Sequence, residues 1–309
     1  MDVIKTFGNY VEKWCEGHPE RARWLLKTGW EAENLKFTVA PSKRMNPSDA
    51  SQAERAFLQN AEDSGLSETL CSYHKTFIGA AEKGLLPKPK CIVYTNLACD
   101  ANLLTFHRLA EFYHVPVFSI DVPSRQTASN VAYVAAQLRA LKRFLEQTTG
   151  RLIDEDLLAE RVARGRETLE EFEKFQSARA DRFIPSDLVS PLYSGMTNNI
   201  LLGTEEEKLY TEKLLKDIKN APPKKGKHIY WMHTIPFWSD AVKEALLLND
   251  SAQIVGCELS QVADLSVHSE DPYEEMAMRL VYHALNGPIS RRIEAGIHHA
   301  KQAGADGAV

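Results

Sequence analysis

Two cysteines of this 309-residue sequence occupy positions that favour metal chemistry. Cys71 stands at the start of one predicted helix, and Cys99 stands between a short apolar run and the next predicted helix. Because a helix N-terminus stabilises anions, both positions favour the thiolate, which is the form that binds metals. Thiolates supplied singly by separate loops suit an iron–sulfur cluster better than structural zinc, which more often uses Cys-x-x-Cys pairs. From spacing alone, two buried and inert cysteines remain the better explanation.

Other residues are weaker candidates for chemistry. His233 follows a predicted strand and could face a cavity, although histidines at such positions are more often structural. Ser194 lies in YSGMTNN (193–199), whose hydroxyls and amides could hold a thioester or equally cap a helix. His74 and Lys75 are predicted to lie on a solvated helix face.

The elements around Cys99 predict how it is positioned. A buried strand over 91–96, a helix and a second buried strand over 115–123 form a βαβ unit, which predicts a parallel sheet. Open α/β sheets bind ligands at the carboxyl ends of their strands, and Cys99 follows one of these ends. Cys15 and Cys91 are predicted to be core residues.

The rest of the chain contains a helical section and a second α/β pattern. Residues 154–180 and 205–219 have helical periodicity, and a Pro- and Lys-rich linker follows at 221–227. The second pattern then begins, and the closing AGADGAV predicts a helix C-cap followed by the first residues of a strand. We therefore predict an α/β fold of two Rossmann-like parallel-sheet domains with a helical middle section, the second domain being incomplete. The predicted domain boundaries are 1–150, 151–222 and 223–309.

Composition restricts the class of protein. Apolar residues make up 44% and charged residues 26%, as in globular proteins, and the formal net charge is −5. An acidic chain is a poor match for nucleic acid, which is usually bound by a basic face. No apolar run is long enough for a membrane helix, and the N-terminus lacks the apolar region of a signal peptide. These features predict a cytoplasmic protein, and its five scattered cysteines are a poor disulfide framework.

Several of these segments resemble a known family. CSYHKTFIGAAEKG and TNLACDANLLTFHRLAEFYHVPVFSIDVP resemble D-subunit-like chains of the 2-hydroxyacyl-CoA dehydratase family, which includes the benzoyl-CoA reductase branch. The family's helix-opening cysteine corresponds to Cys71, its Cys-Asp word to Cys99–Asp100, and its D-x-P word to Asp121–Pro123. The resemblance extends over residues 64–309, whereas residues 1–63 lack the family's Gly/Pro-rich entry.

The resemblance implies a 4Fe–4S cluster held by three cysteines of one subunit, with Cys71 and Cys99 as two of them. It implies that the third follows a strand beginning near Gly307, and therefore lies beyond Val309, so we expect a truncated chain. Cys257 also follows a predicted strand and could replace the third cysteine, but we disfavour this assignment. In the family the residue at the end of that strand is acidic, and it corresponds here to Glu258. The implied partners are a second dehydratase-like subunit, an ATP-dependent activator protein and a CoA thioester substrate. The implied reaction is elimination of water from the thioester through a ketyl radical.

Three alternatives remain open at this point. The chain could belong to the ring-reducing benzoyl-CoA reductase branch, because the sequence does not separate the two reactions. It could be a non-catalytic electron-relay partner subunit whose cluster has all its irons ligated. It could also be an α/β scaffold or binding protein without a metal.

Overall fold

The computed structural model describes residues 47–97, 99–184, 188, 201–236, 239–261 and 265–309. The predictions for Cys15, for Ser194 and for the loop 193–199 lie outside these residues. Contacts divide the chain into two compact units. One contains the described part of Trp14–Val122 together with Gln137–Leu152, and the other contains Pro123–Ala136 and the described part of Ile153–Val309. The predicted boundaries at 150 and 222 stay a prediction.

The first unit, which carries both candidate cysteines, contains a two-stranded parallel sheet and helices. Its elements are α1 (Pro47–Asp63), α2 (Ser72–Glu82), β1 (Ile92–Thr95), α3 (Ala101–Tyr113) and β2 (Val117–Ile120). The strands pair in register from Ile92 opposite Val117 to Thr95 opposite Ile120. This is the βαβ unit that the sequence predicts.

The core of this unit forms where α1, α2 and α3 meet the sheet. Ile78 of α2, Tyr94 of β1 and Leu109 of α3 belong to one buried cluster. Helix α2 runs very close to α1, since a Cβ atom at Gly79 would lie 2.2 Å from the backbone oxygen of Phe57. Glycine at this position therefore permits the close crossing that holds α2, and with it Cys71, in place.

Helix α4 has residues in both units, and the second unit continues through helices into a three-stranded sheet. The elements are α4 (Ala128–Thr149), α5 (Glu155–Ala178), a 3₁₀ turn (Arg179–Asp181), α6 (Glu205–Lys219), β3 (Lys227–Trp231), α7 (Asp240–Leu246), β4 (Ala252–Cys257), a 3₁₀ turn (Glu258–Ser260), α8 (Pro272–Val281), α9 (Ile289–Gln302) and β5 (Gly307–Ala308). The strand order is β4-β3-β5, and both pairings are parallel. The α/β prediction is confirmed, and the predicted strand near Gly307 is β5.

One helix is shorter than its sequence pattern predicts. The segment DPYEEMAMRLVYHALNG (271–287) predicts a helix with Pro272 near its start and Gly287 just past its end, but α8 ends at Val281. The Asn286 side chain donates from Nδ2 to the Val281 backbone oxygen over 2.9 Å, which satisfies a carbonyl at the helix end. The same amide donates to the backbone oxygen of Pro123 over 3.0 Å, so the chain turns here instead of continuing the helix.

No helix among the residues that the structure describes combines the length and the apolar character needed to span a bilayer.

Candidate functional site

Cys71 is the N-cap residue of α2, as the sequence predicts. Its backbone is extended, with φ −49° and ψ 131°, and its side chain makes no capping hydrogen bond. The thiol is free and exposed. A sulfur at this position is available to a ligand and lies at the positive end of the helix dipole.

Cys99 lies in the turn between β1 and α3, one residue before the N-cap residue Asp100. Asn102 holds this turn from both sides. Its side-chain amide donates to the Thr95 backbone oxygen over 3.0 Å, and its backbone N–H donates to the Cys99 oxygen over 3.1 Å. Because the turn is fixed to the end of β1, the free and exposed thiol of Cys99 has a defined position.

The structure joins the Cys99 turn to the first turn of α2 through His74. The Cys99 Sγ atom lies 3.6 Å from His74 Nε2, across a separation of 25 residues. On the other side of the ring, His74 Nδ1 lies 2.9 Å from Thr105 Oγ1 on α3. His74 stands three residues after Cys71, so the fold brings the two predicted cysteine positions to one end of this unit.

The prediction of a solvated face for His74 and Lys75 is wrong. Both residues retain 6% of their exposure, because this side of α2 faces the rest of the unit. The Lys75 ammonium is paired with Glu62 at 2.5 Å and donates to the Glu68 backbone oxygen over 2.8 Å. Burial lowers the pKa of His74, so its imidazole is neutral at pH 7.

Asp121 and its neighbour are fixed by Asn96 at the carboxyl ends of β1 and β2. Asn96 Nδ2 donates to Asp121 Oδ1 over 2.9 Å, and the Val122 N–H donates to Asn96 Oδ1 over 2.8 Å. Gln137 adds hydrogen bonds of 2.8 Å to both the backbone N–H and the backbone oxygen of Asp121. The hydrogen bonds of Asp121 and Val122 with Asn96 thus hold the carboxyl ends of β1 and β2 together.

In the second unit, His233 follows the carboxyl end of β3 in a left-handed conformation with φ 62°. Its backbone N–H donates to Glu258 Oε2 over 3.0 Å, and its ring Nδ1 lies 3.1 Å from Thr234 Oγ1. The Glu258 carboxylate is also bound by Arg292, which sequence reasoning did not single out. The hydrogen bond from Arg292 holds the pKa of Glu258 below its usual range. In the sequence, the only sign of the Glu258–Arg292 pair is the acidic residue at the end of the strand.

Cys257 differs from Cys71 and Cys99 in its surroundings. It is 2% exposed, and its Sγ donates to the His233 backbone oxygen over 3.1 Å. Burial raises the pKa of the Cys257 thiol to about 11, which disfavours the thiolate. These features favour a core role over metal binding.

The donor set at Cys71 and Cys99 fits an iron–sulfur group in chemistry, because both sulfurs are free, exposed and next to helix N-termini. The two cysteines do not form a full set by themselves. Among the residues that the structure describes, no group of three or more histidine, cysteine or acidic side chains could hold a metal ion.

A family model covers most of the chain. The family model described as 2-hydroxyglutaryl-CoA dehydratase, D-component, matches residues 46–309. The match includes all described residues from Pro47 onward, and therefore both candidate cysteines. No curated protein matches the chain.

Proposed function

Because this chain belongs to the 2-hydroxyglutaryl-CoA dehydratase D-component family, we propose that it is the iron–sulfur subunit of an ATP-activated 2-hydroxyacyl-CoA dehydratase. Family membership makes it a dehydratase-type component of a complex. The main support for the iron–sulfur role is the contact between the Cys99 turn and the first turn of α2, whose N-cap residue is Cys71. In this arrangement, two free and exposed cysteines on separate elements can bind the same cluster.

Cys71 and Cys99 hold the cluster as thiolates in this proposal. The N-terminus of α2 favours negative charge at Cys71, and the turn before α3 does the same for Cys99. Asn102 fixes the Cys99 turn to Thr95, so that sulfur is already oriented before iron binds. Groups outside the described residues complete the ligand set.

When bound, the cluster supplies the single electron that begins a radical elimination of water from the thioester. The contribution of this chain is to hold the two exposed sulfurs, to keep that of Cys99 at the carboxyl end of β1, and to supply His74 as a hydrogen-bond partner for it. A second subunit and an ATP-hydrolysing activator are the proposed partners, since a D-component is one part of a larger enzyme.

Metal analysis tests the cysteines. The protein, expressed together with the sequence that is expected to carry the third cysteine, is purified and reconstituted without oxygen, and iron and acid-labile sulfide are measured per chain. We expect about four of each for a 4Fe–4S cluster, with a clear loss in Cys71→Ser and Cys99→Ser. The matched control is Cys91→Ser, a partly buried cysteine before β1, which should keep the wild-type content. Absence of iron from the wild type, or equal content in all variants, contradicts the iron–sulfur role.

A substrate comparison tests the reaction. The reconstituted protein, its partner subunit and its activator are incubated with 2-hydroxyglutaryl-CoA and, separately, with benzoyl-CoA. Formation of the unsaturated thioester from the hydroxyacyl substrate supports the dehydratase. Turnover of benzoyl-CoA alone would place the chain in the ring-reducing branch, and turnover of neither by a chain with a loaded cluster would favour an electron-relay subunit.

A further inference from the structure

We infer that His74 is a positioning residue for Cys99, whose sulfur accepts a hydrogen bond from the His74 Nε2–H. The inference rests on the proposed function, in which Cys99 binds the cluster. It assigns to a histidine outside the ligand set the task of fixing one sulfur and withdrawing negative charge from it.

The direction of the hydrogen bond follows from the donors and acceptors on each side of the ring. The Cys99 Sγ atom lies 3.6 Å from His74 Nε2, within hydrogen-bond range for sulfur. A thiolate, or a sulfur bound to iron, carries no proton and only accepts, so Nε2 must be the donor. On the other side of the ring, the Thr105 hydroxyl lies 2.9 Å from Nδ1, where it can donate to that nitrogen and leave the ring proton on Nε2. Thr105 therefore selects the tautomer that serves Cys99.

The ring cannot easily leave this arrangement. His74 retains 6% of its exposure and Thr105 retains 1%. The Tyr73 ring contacts His74 edge-on, with centroids 5.7 Å apart and planes at 88°. Because the donor is buried between α2 and α3, its hydrogen bond is already oriented when iron binds, and water competes weakly for it.

Cys71 and Cys99 differ in the hydrogen bonds made by their sulfurs. Cys99 has His74 as a partner, whereas no described side chain forms a hydrogen bond with the Cys71 sulfur. Partners of metal ligands orient them and strengthen binding, and hydrogen bonds to cluster sulfurs raise the reduction potential. His74 should therefore make the cluster easier to reduce and slower to lose iron.

Four variants test this inference, each made in the same protein that includes the sequence expected to carry the third cysteine. His74→Leu removes the donor, and His74→Gln keeps an N–H near the Nε2 position. Thr105→Val removes the hydroxyl with little change in shape. The matched control is His107→Leu, which changes an exposed histidine of α3 whose ring contacts Tyr94 edge-on. Each reconstituted protein is assayed for iron and sulfide, for the midpoint potential of the cluster, and for the rate of iron loss to a chelator.

We expect the midpoint potential of His74→Leu to shift to a more negative value, and its iron loss to accelerate about tenfold or more. Thr105→Val should shift the potential in the same direction by a smaller amount, and His74→Gln should restore much of the wild-type behaviour. His107→Leu should match the wild type. If His74→Leu retains no cluster, the midpoint potentials of His74→Gln and Thr105→Val are compared with that of the wild type instead.

Three outcomes overturn the inference. One is an unchanged potential in His74→Leu with full cluster content, which leaves the proposed function intact. Another is a His74→Gln variant as impaired as His74→Leu, which indicates a packing role only. The third is a wild-type protein without iron, which overturns the proposed function together with the inference.

Discussion

The guanidinium of Arg292 forms a two-point ion pair with the carboxylate of Glu258. Nη2 lies 2.8 Å from Oε2, and Nε binds Oε1. The Glu258 side chain is 1% exposed, whereas that of Arg292 is 39% exposed. Since Glu258 Oε2 also accepts the His233 N–H, this pair ties α9 to the carboxyl ends of β3 and β4.

Arg292→Met should lower the free energy of unfolding by about 1–3 kcal/mol, the usual cost of an unsatisfied buried group. The carboxylate of Glu258 then keeps one backbone donor but loses its charged partner. Urea unfolding at pH 7 measures the effect. The control is Lys243→Met, which removes an exposed pair with Asp240 and should cost less than about 1 kcal/mol. Equal effects of the two variants would show that the Glu258 pair contributes no more than a surface pair.

The effect of Arg292→Met should also depend on pH. The folded-state pKa of Glu258 is depressed, so its stabilising contribution is fully present above the unfolded-state pKa of about 4.3. It is lost as the pH falls through the lower, folded-state pKa. The difference between wild type and Arg292→Met should therefore shrink when unfolding is repeated below pH 4. A difference that stays constant with pH would contradict the charge-based explanation.

Glu207→Gln should remove a pH dependence of stability. Glu207 of α6 is fully buried, and neither carboxyl oxygen has a side-chain hydrogen-bond partner among the described residues. The Gly203 backbone and the Arg279 guanidinium lower its pKa by less than burial raises it. Burial raises the pKa of Glu207 to about 8. Its contribution to the stability of the folded protein is therefore fully present below the unfolded-state pKa and falls as the pH rises towards 8. Relative to the wild type, the free energy of unfolding of the variant should rise by about 1 kcal/mol or more per pH unit between pH 5.5 and 7.5.

Urea unfolding of the wild type and Glu207→Gln at several pH values measures this slope. The control is Glu212→Gln, which changes an exposed carboxylate on the same helix and should leave the slope unchanged. A wild-type curve parallel to that of Glu207→Gln over this range would mean that the buried carboxyl group is not protonated in the folded protein.

Gly79→Ala should destabilise the unit that carries Cys71 and Cys99. The new Cβ atom would lie 2.2 Å from the Phe57 backbone oxygen, and backbone cannot move aside as a flexible side chain can. Overpacking of this kind costs about 1–3 kcal/mol. Gly307→Ala is the control, because its added Cβ atom meets nothing within 4 Å. Thermal unfolding compares the two, and equal stability would contradict the close crossing of α1 and α2.

In the metal-free protein, Cys71 and Cys99 should react with an alkylating reagent much faster than Cys257. Cys71 and Cys99 are exposed, whereas Cys257 is buried and its thiol pKa is raised to about 11. Brief treatment with iodoacetamide at pH 8, followed by peptide mass spectrometry, should label the first two well ahead of Cys257. Urea-unfolded protein is the control and should be labelled at all three positions. Rapid native labelling of Cys257 would contradict its core role.

Sequence patterns predicted the elements well because their signals are local. The apolar run at β1 and the Pro and Gly residues around it define a strand whose position does not depend on distant residues. The same holds for Cys71 at the start of α2 and for β5 at Gly307. The end of α8 was predicted too far along the chain, because the bonds from Asn286 to Val281 and Pro123 depend on the folded chain.

Local sequence patterns are sufficient to predict the α/β class, the order of its elements and the two cysteines at the starts of helices. Which face of α2 is buried depends on the folded chain, and so does the contact of His74 with Cys99 and Thr105 instead of solvent. The pairing of Arg292 of α9 with Glu258 likewise depends on the folded chain. The physical reason is that helical periodicity and capping act over a few residues, whereas the burial of a polar side chain depends on partners that are distant in the sequence.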